Sequence, residues 1–214
     1  MAVKLTSADY VAYLKRAYEK LHSEGDYITD LDLATGDGDH WTNMDTGFER
    51  LIGQAGELEK LPLAEAFQKI SMTLMTVIGG SGGILYASAY MEAAKRAKGL
   101  EALSSADVCN MLEGMEAAIM NRGKSKPGDK TMLDTLDHAV RCYKECLSEG
   151  KSEAETFKAV KAAAETGAES TREMPAVRGR AYYQANKGVG HLDPGAVTMC
   201  YQIQTLMDCM IEKT

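Results

Sequence analysis

Residues 63–83 of the chain read LAEAFQKISMTLMTVIGGSGG and decide the fold class. Apolar side chains recur here every three or four residues, the spacing that places them on one face of an α-helix. They are Phe67, Ile70, Leu74 and Val77. The glycine-rich residues 79–83 interrupt the pattern, and helical spacing resumes through Leu85 and Met91. Because the interruption is short, we expect two antiparallel helices that pack against each other.

The rest of the chain shows the same helical spacing in nearly every segment. The predicted helix caps are Ser7, Ser104 or Ser105, Ser152 and Asp193, and the predicted stops are Gly25, Gly56 and Gly150. An irregular stretch is expected at about residues 172–192, and no strand is convincing. We predict an all-α single domain over residues 1–214, in which about eight sizeable helices pack antiparallel because their loops are short.

The composition narrows the possible functions. With 24 basic and 31 acidic residues, the formal net charge is −7. This charge disfavours a surface for nucleic acid or an anionic membrane, because those partners require clustered cations. No apolar run is long enough for a membrane span, and the first residues lack a signal-peptide pattern. The five cysteines form no CxxC pair and are expected to be reduced thiols, so we predict a cytoplasmic protein.

Residues 30–40, DLDLATGDGDH, form the most unusual loop. The loop contains Asp30, Asp32, Asp37 and Asp39, and its two glycines allow tight folding. Two carboxylates about 4 Å apart repel by roughly 4 kcal/mol at an effective dielectric constant of about 20. Their convergence is therefore costly unless a cation lies between them, and carboxylate oxygens suit Mg²⁺ or Ca²⁺. The alternative is a solvated acidic turn in which Asp39 caps the following helix.

An EF-hand calcium loop is excluded by the residues that follow. Counted from Asp37, the third position is acidic, but the fifth, sixth and twelfth positions are Trp41, Thr42 and Phe48. An EF-hand requires an oxygen ligand, glycine and glutamate at those three places.

Three further loops contain groups suited to anion binding. The turn at residues 79–83 has free backbone N–H groups at a helix start, and residues 123–132 contain three lysines. Residues 190–195 place backbone donors at a helix N-terminus, with Arg178 and Arg180 shortly before them. Alone, the glycine turn and residues 190–195 are equally well explained as structural features, and residues 123–132 are better explained as a solvated surface turn. Together with the acidic loop, they match what a magnesium-bound nucleotide requires.

The motifs resemble those of a known family, in the same order. They are D-x4-DGDH-x2-NM at 32–44, GGSGG-x-LY at 79–86, GDKTM-x-D at 128–134, GRA at 179–181 and GH-x-DPG at 190–195. From about residue 10 onward, the chain resembles the nucleotide-binding L subunit of dihydroxyacetone kinase and the equivalent C-terminal domain of single-chain, ATP-dependent kinases. The resemblance implies an antiparallel α-barrel of eight helices with the nucleotide at one end.

The resemblance also implies the site residues. Aspartates in the pattern of Asp32, Asp37 and Asp39 hold two Mg²⁺ ions, which bind the phosphates of ADP or ATP. The other matching positions are His40, Asn43, Ser81, Gly82, Gly123, Met132, Arg178, Asp193, Pro194 and Gly195. Arg180 is the alternative to Arg178, and no catalytic residue is assigned beyond this metal–nucleotide site.

Three positions, in two of the motifs, depart from the family pattern. Trp41 stands where glycine is usual, and Ser81-Gly82 stand where Ala-Ser is usual. We expect Trp41 either to crowd the phosphate site or to change the partner surface. Because of these departures, the resemblance does not determine which sugar accepts the phosphoryl group or which molecule donates it.

Two versions of the reaction follow from the resemblance. In the first, ADP stays bound as a coenzyme that a phosphotransferase-system protein rephosphorylates, and dihydroxyacetone is held on a separate K subunit. In the second, ATP exchanges as a substrate. A chain of 214 residues is too short to include a K domain, so we expect a K-type partner and favour the first version. The alternatives are a kinase subunit for another small sugar such as a ketotetrose, a metal-dependent phosphohydrolase, and a nucleotide-binding module without catalysis.

Overall fold

The computed structural model describes residues 2–214, which are mostly helical. The α-helices are α1 (Ser7–Ser23), α2 (Gly25–Thr35), α3 (His40–Ile52), α4 (Ala55–Leu58), α5 (Leu63–Val77), α6 (Gly80–Arg96), α7 (Ser105–Gly123), α8 (Met132–Ser148), α9 (Glu153–Ser170) and α10 (Pro194–Ile211). Short 3-10 turns cover Thr171–Glu173 and Arg180–Tyr183. The two-residue strands β1 (Lys4–Leu5) and β2 (Leu103–Ser104) pair antiparallel.

Eight of the helices form a closed ring. In the order α1, α3, α5, α6, α7, α8, α9, α10, each helix packs against the next, and α10 returns to pack against α1. Successive members of the ring run in opposite directions, so that the first residues of α6, α8 and α10 lie at the same end as the last residues of α7. The all-α expectation is confirmed, with the small β1–β2 pair as an element that was not predicted.

Local details at three helix ends differ from the prediction. Gly56 lies inside α4 and does not end α3, which already ends at Ile52. Thr6, not Ser7, caps α1, because Thr6 and Asp9 form a reciprocal capping box while the Ser7 hydroxyl donates to the Leu61 carbonyl at 2.7 Å. Gly25 begins α2 instead of ending α1. The predicted caps Ser104, Ser152 and Asp193 all accept backbone N–H groups from their helices.

The interior of the ring is filled by side chains. Tyr10, Tyr86 and Tyr90 are each at most 3% exposed. The hydroxyls of Tyr10 and Tyr90 lie 3.2 Å apart, and the Gln202 amide donates to the Tyr86 hydroxyl at 2.7 Å. The space left among these residues is only about 20 Å³, roughly one water-sized probe. A ligand the size of a nucleotide therefore has to bind at an end of the ring.

A carboxylate pair between α7 and α8 makes stability depend on pH. Burial, followed by the nearby Asp137 carboxylate, raises the pKa of Glu116 from 4.5 to about 7. The unfolded chain therefore ionises first, and this contribution to the free energy of unfolding falls as pH rises from about 4.5 to 7. We expect Glu116→Gln to remove that loss, as measured by thermal unfolding between pH 5 and 8.

Glu113→Gln is the matched control for this pH dependence. The Glu113 carboxylate accepts a hydrogen bond from Lys144 at 2.6 Å, which lowers the pKa of Glu113. Glu113→Gln should lower the free energy of unfolding at neutral pH and have little effect in acid. This trend with pH is the opposite of the one expected for Glu116→Gln. Equal pH profiles for Glu116→Gln and the parent chain would contradict the prediction.

Two further features of the described chain concern its cysteines and its helix lengths. All five cysteines are free. Across residues 2–214, we find no helix with the combined length and apolarity needed to cross a bilayer.

Candidate functional site

An open cavity of about 740 Å³ lies at one end of the ring. This volume is within the range typical of small-molecule sites, about 300–1,000 Å³. The first residues of α3, α6, α8 and α10 line the cavity, as do residues at the ends of α5 and α7. Every site residue that the sequence predicted lines it: Asp32, Asp37, Asp39, His40, Asn43, Ser81, Gly82, Gly123, Met132, Arg178, Asp193, Pro194 and Gly195.

Three carboxylates converge on one side of the cavity. Oxygens of Asp32, Asp37 and Asp39 lie within 4.8 Å of one another. Asp32 is buried at the end of α2 and accepts the His40 backbone N–H at 3.0 Å. Gly36 permits this geometry, because a Cβ there would lie 2.3 Å from the Asp32 Oδ1 atom.

Among residues 2–214, a single cation partly balances these carboxylates. The guanidinium of Arg180 contacts the Asp37 Oδ2 atom at 2.5 Å. Within residues 2–214, neither Asp32 nor Asp39 forms an ion pair with a lysine, arginine or histidine. Three convergent carboxylates with a single guanidinium leave an excess of negative charge, which is costly unless a cation is bound. An all-oxygen donor set of this kind fits Mg²⁺ or Ca²⁺.

His40 and Asn43 connect the acidic loop to its neighbours. The His40 Nε2 atom lies 2.9 Å from the Thr198 hydroxyl of α10. Burial lowers the pKa of His40, although the nearby Asp32 and Asp39 carboxylates oppose this, and the neutral ring is therefore favoured. The Asn43 Oδ1 atom accepts the Gly79 backbone N–H at 3.3 Å. A Cβ at Gly79 would lie 2.7 Å from that oxygen, so the close approach requires glycine.

The glycine turn is the start of α6 and not a loop between helices. Gly80 has a φ of +63°, which glycine adopts without strain. At Gly83, a Cβ would lie 2.3 Å from the Ile78 carbonyl oxygen, so only glycine lets α6 begin against the end of α5. No side chain caps the N-terminus of α6. Its first N–H groups, at Ser81 and Gly82, therefore remain directed at the cavity for an anion.

Lys130 is a buried element of the site that sequence reasoning did not identify. It was expected to be one of three lysines on a solvated or phosphate-binding turn, but it is only 2% exposed. Its ammonium group donates to the carbonyl oxygens of Thr171 and His191. Lys130 thus fixes the start of α8 against the end of α9 and the residues before α10. The remaining lysines of this turn, Lys124 and Lys126, are exposed.

The segment 174–192 closes one side of the cavity. Its Val177 N–H donates to the Asp129 carbonyl at 3.1 Å, and its Gln184 amide donates to the Ala34 carbonyl at 2.9 Å. Arg178 donates through Nε to the Lys124 carbonyl at 3.0 Å. Of the two arginines on this segment, the one paired with the acidic loop is therefore Arg180.

The cavity lining also has an apolar part. Its lining side chains are Met44, Ile78, Leu85, Ile119, Met132 and Leu133. Gly123 adds room at the end of α7, where a Cβ would lie 3.3 Å from Leu85. A ligand with a flat apolar part and a polyanionic part matches this division.

Trp41 does not line the cavity. Its Nε1 atom donates to the Leu21 carbonyl at 3.2 Å, and its ring packs over Gly25, where a Cβ would lie 2.7 Å away. The expectation that Trp41 crowds the phosphate site is therefore wrong, because the ring turns outward to the junction of α1 and α2.

Comparisons with known proteins identify the family of the chain. The DAK2 domain matches residues 34–208. The chain is 29% identical over 204 residues to the ADP-binding subunit DhaL of the PEP-dependent dihydroxyacetone kinase of Escherichia coli, covering 95% of this chain and 97% of the relative. It is 36% identical over 181 residues to the DhaL subunit of PEP-dependent dihydroxyacetone kinase 2 of Listeria innocua, covering 82% of each chain.

A solved structure shows the same fold. The dihydroxyacetone kinase of C. freundii superposes with a TM-score of 0.70 at 22% identity, over 96% of this chain and 36% of the kinase chain. A second structure of that kinase is a complex with AMP-PNP and Mg²⁺. Since the DAK2 match spans most of the residues and the DhaL subunits align along most of their lengths, the chain belongs to the DAK2 domain family, as a DhaL-type homologue of phosphotransferase subunits.

Proposed function

We propose that this chain is the nucleotide-binding subunit of a dihydroxyacetone-type kinase. The observation that carries the proposal is the convergence of Asp32, Asp37 and Asp39 at a cavity that four helix N-termini also face. The partial positive charge of helix N-termini favours phosphates. The carboxylates would bind phosphates only through cations. The two features together therefore suit a ligand in which metal ions are bound to a polyphosphate. We infer that a single domain over residues 1–214 binds this ligand.

The metal site is assigned to the three aspartates. Asp32, Asp37 and Asp39 would hold two Mg²⁺ ions, and bound Mg²⁺ would neutralise charge on the nucleotide phosphates. The chain's own residues orient this site: the His40 N–H fixes the Asp32 carboxylate, and Arg180 faces Asp37. The C. freundii kinase, which was crystallised with Mg²⁺ and AMP-PNP, supports this assignment.

The nucleotide would span the cavity from its acidic to its apolar side. We assign phosphate contacts to the starts of α6 and α10, to His40 and Asn43, and to one of the two arginines, Arg178 or Arg180. The adenine would lie against Gly123 and Met132 beside Leu85 and Ile119. The residues at the two helix starts are Ser81, Gly82, Asp193, Pro194 and Gly195.

The acceptor would be held by another chain. We infer that ADP acts as a bound coenzyme, that a phosphotransferase-system protein recharges it, and that a K-type subunit presents dihydroxyacetone. The E. coli and Listeria relatives, which are ADP-binding subunits of PEP-dependent dihydroxyacetone kinases, support this version. Five free thiols fit a reducing compartment such as the cytoplasm.

Two measurements on the purified chain test the proposed function. Mass spectrometry of the released small molecules should detect ADP after extensive buffer exchange. The chain loaded with Mg–ATP should then phosphorylate dihydroxyacetone only when a K-type subunit is added. Failure to transfer with any such subunit would contradict the kinase assignment, and phosphate release from phosphoesters by the chain alone would indicate a phosphohydrolase.

Arg180 should contribute more to nucleotide binding than Arg178. Arg180 already lies at the acidic loop, whereas the Nε atom of Arg178 is bound to the Lys124 carbonyl. We expect Arg180→Ala to weaken Mg–ADP binding about tenfold, roughly the 1.4 kcal/mol of one charge-assisted contact. Arg178→Ala should weaken it less than about threefold. Isothermal titration calorimetry measures both, and the reverse ranking would show that the sequence assignment of Arg178 was the correct one.

A further inference from the structure

An exposed apolar surface lies on the outer wall of α5 and α6, next to the cavity mouth. Met72 is 66% exposed and Met75 is 58% exposed on α5, and Ile84 on α6 is 41% exposed. Single exposed apolar residues are common, but a group of them beside a site marks an interaction surface. These three residues are here called the methionine face.

The packing of α5 on α6 brings the methionine face together. The Ser71 hydroxyl donates to the Ala87 carbonyl at 2.6 Å, which fixes the register of the two antiparallel helices. One helical turn further toward the cavity, Met75 is level with Ile84. Because Ile84 also lines the cavity, the methionine face reaches the cavity rim.

The methionine face lies in an uncharged part of the chain. Residues 70–91 contain no Asp, Glu, Lys or Arg, although charged residues make up 26% of the whole sequence. The buried centres of protein interfaces are depleted in charged residues and enriched in methionine, whose flexible side chain adapts to a partner. This composition fits an apolar protein surface and disfavours a nucleic acid or a highly charged carrier.

We propose that the methionine face docks the acceptor-bearing partner subunit; this inference rests on the proposed function. A phosphoryl group can reach its acceptor only if the acceptor lies against the cavity mouth, so the partner must cover part of the rim. In the C. freundii kinase, the matched region is 36% of the chain, and the rest belongs to the same polypeptide. A separate subunit lacks that covalent link and needs a non-covalent contact beside the mouth.

Two substitutions on α5 test the proposal without changing the cavity. Met72→Glu and Met75→Glu, combined, would place two charges in the interface, where they would be desolvated without partners. Leu147→Glu is the matched control, since Leu147 is an exposed apolar residue on α8. The assay is single-turnover transfer from the Mg–ATP-loaded chain to the K-type subunit of the same organism, loaded with dihydroxyacetone, over a range of subunit concentrations. Mg–ADP affinity and thermal unfolding are measured in parallel.

The double variant should raise the subunit concentration for half-maximal transfer at least about tenfold. Its Mg–ADP affinity should stay within about twofold of the parent, and Leu147→Glu should match the parent in both measurements. Transfer by the double variant at parental concentrations would overturn the docking proposal alone. A parent chain that binds Mg–ADP but never transfers would overturn the proposed function and this inference with it. Self-association of the parent that is lost in the double variant would show that a second copy occupies the face, which also overturns the proposal.

Discussion

Asp37→Asn is expected to weaken Mg–ADP binding at least about a hundredfold, roughly 2.7 kcal/mol, because it removes one charged ligand from the proposed metal site. The fold should not change. Asp37 is exposed, and within the described chain its carboxylate forms an ion pair only with Arg180. Asp32 would be a less informative target, since its carboxylate also holds the His40 N–H. Calorimetric titration with ADP, at saturating Mg²⁺ and again in EDTA, measures the effect.

Asp30→Asn is the matched control for this experiment. Asp30 belongs to the same acidic stretch and its substitution removes the same charge, but it is exposed and does not line the cavity. Its Mg–ADP affinity should stay within about twofold of the parent, because exposed charges at a distance are screened. Equal affinities for Asp37→Asn and Asp30→Asn would show that general negative charge, and not a built metal site, lies at this end of the ring. The circular dichroism of both variants should match that of the parent.

The acidic side of the site could be predicted because its chemistry is local in sequence. Four aspartates within ten residues, separated by glycines, indicate carboxylates brought together by one short loop. Gly36 fits that reading, since a Cβ there would collide with Asp32. The cap at Asp193 could be predicted for the same reason: its carboxylate accepts the Ala196 N–H only three residues away. The positions of the helices could also be predicted, because the apolar face of each helix is a pattern within one short stretch of sequence.

The contacts that could not be predicted join distant parts of the chain. The ring closes where α10 packs on α1, and no local pattern specifies that pairing. Arg178 and Arg180 are indistinguishable by spacing, and only the path of the segment 174–192 places Arg180 at Asp37. Lys130 stands among exposed lysines, so its sequence context is typical of a solvated turn. Its partners Thr171 and His191 lie 41 and 61 residues further along the chain.

Lys130→Met is expected to lower the free energy of unfolding by about 3 kcal/mol, because it leaves the buried Thr171 carbonyl and the partly buried His191 carbonyl without their donor. Methionine has similar length and is apolar, so the substitution removes the charge with little change in packing. For a chain of this size, the loss corresponds to a fall in Tm of roughly 6–12 °C. Urea unfolding followed by circular dichroism measures it, and Lys126→Met, at an exposed position of the same turn, should change the free energy by less than about 0.5 kcal/mol.

The same substitution should also weaken nucleotide binding, through Asp193. Burial raises the pKa of Asp193 to about 7, and the nearby Lys130 ammonium opposes that rise. Without Lys130, the Asp193 carboxylate loses its counter-charge and becomes protonated more readily at neutral pH. A protonated Asp193 is a weaker acceptor for the Ala196 N–H, which loosens the start of α10 at the cavity. As pH decreases from 9 to 6, the Mg–ADP affinity of Lys130→Met should therefore begin to fall at a higher pH than that of the parent, in which the pKa of Asp193 is about 7. A parallel pH dependence in the two proteins, at whatever stability, would show that Lys130 acts only on the fold and not on the site.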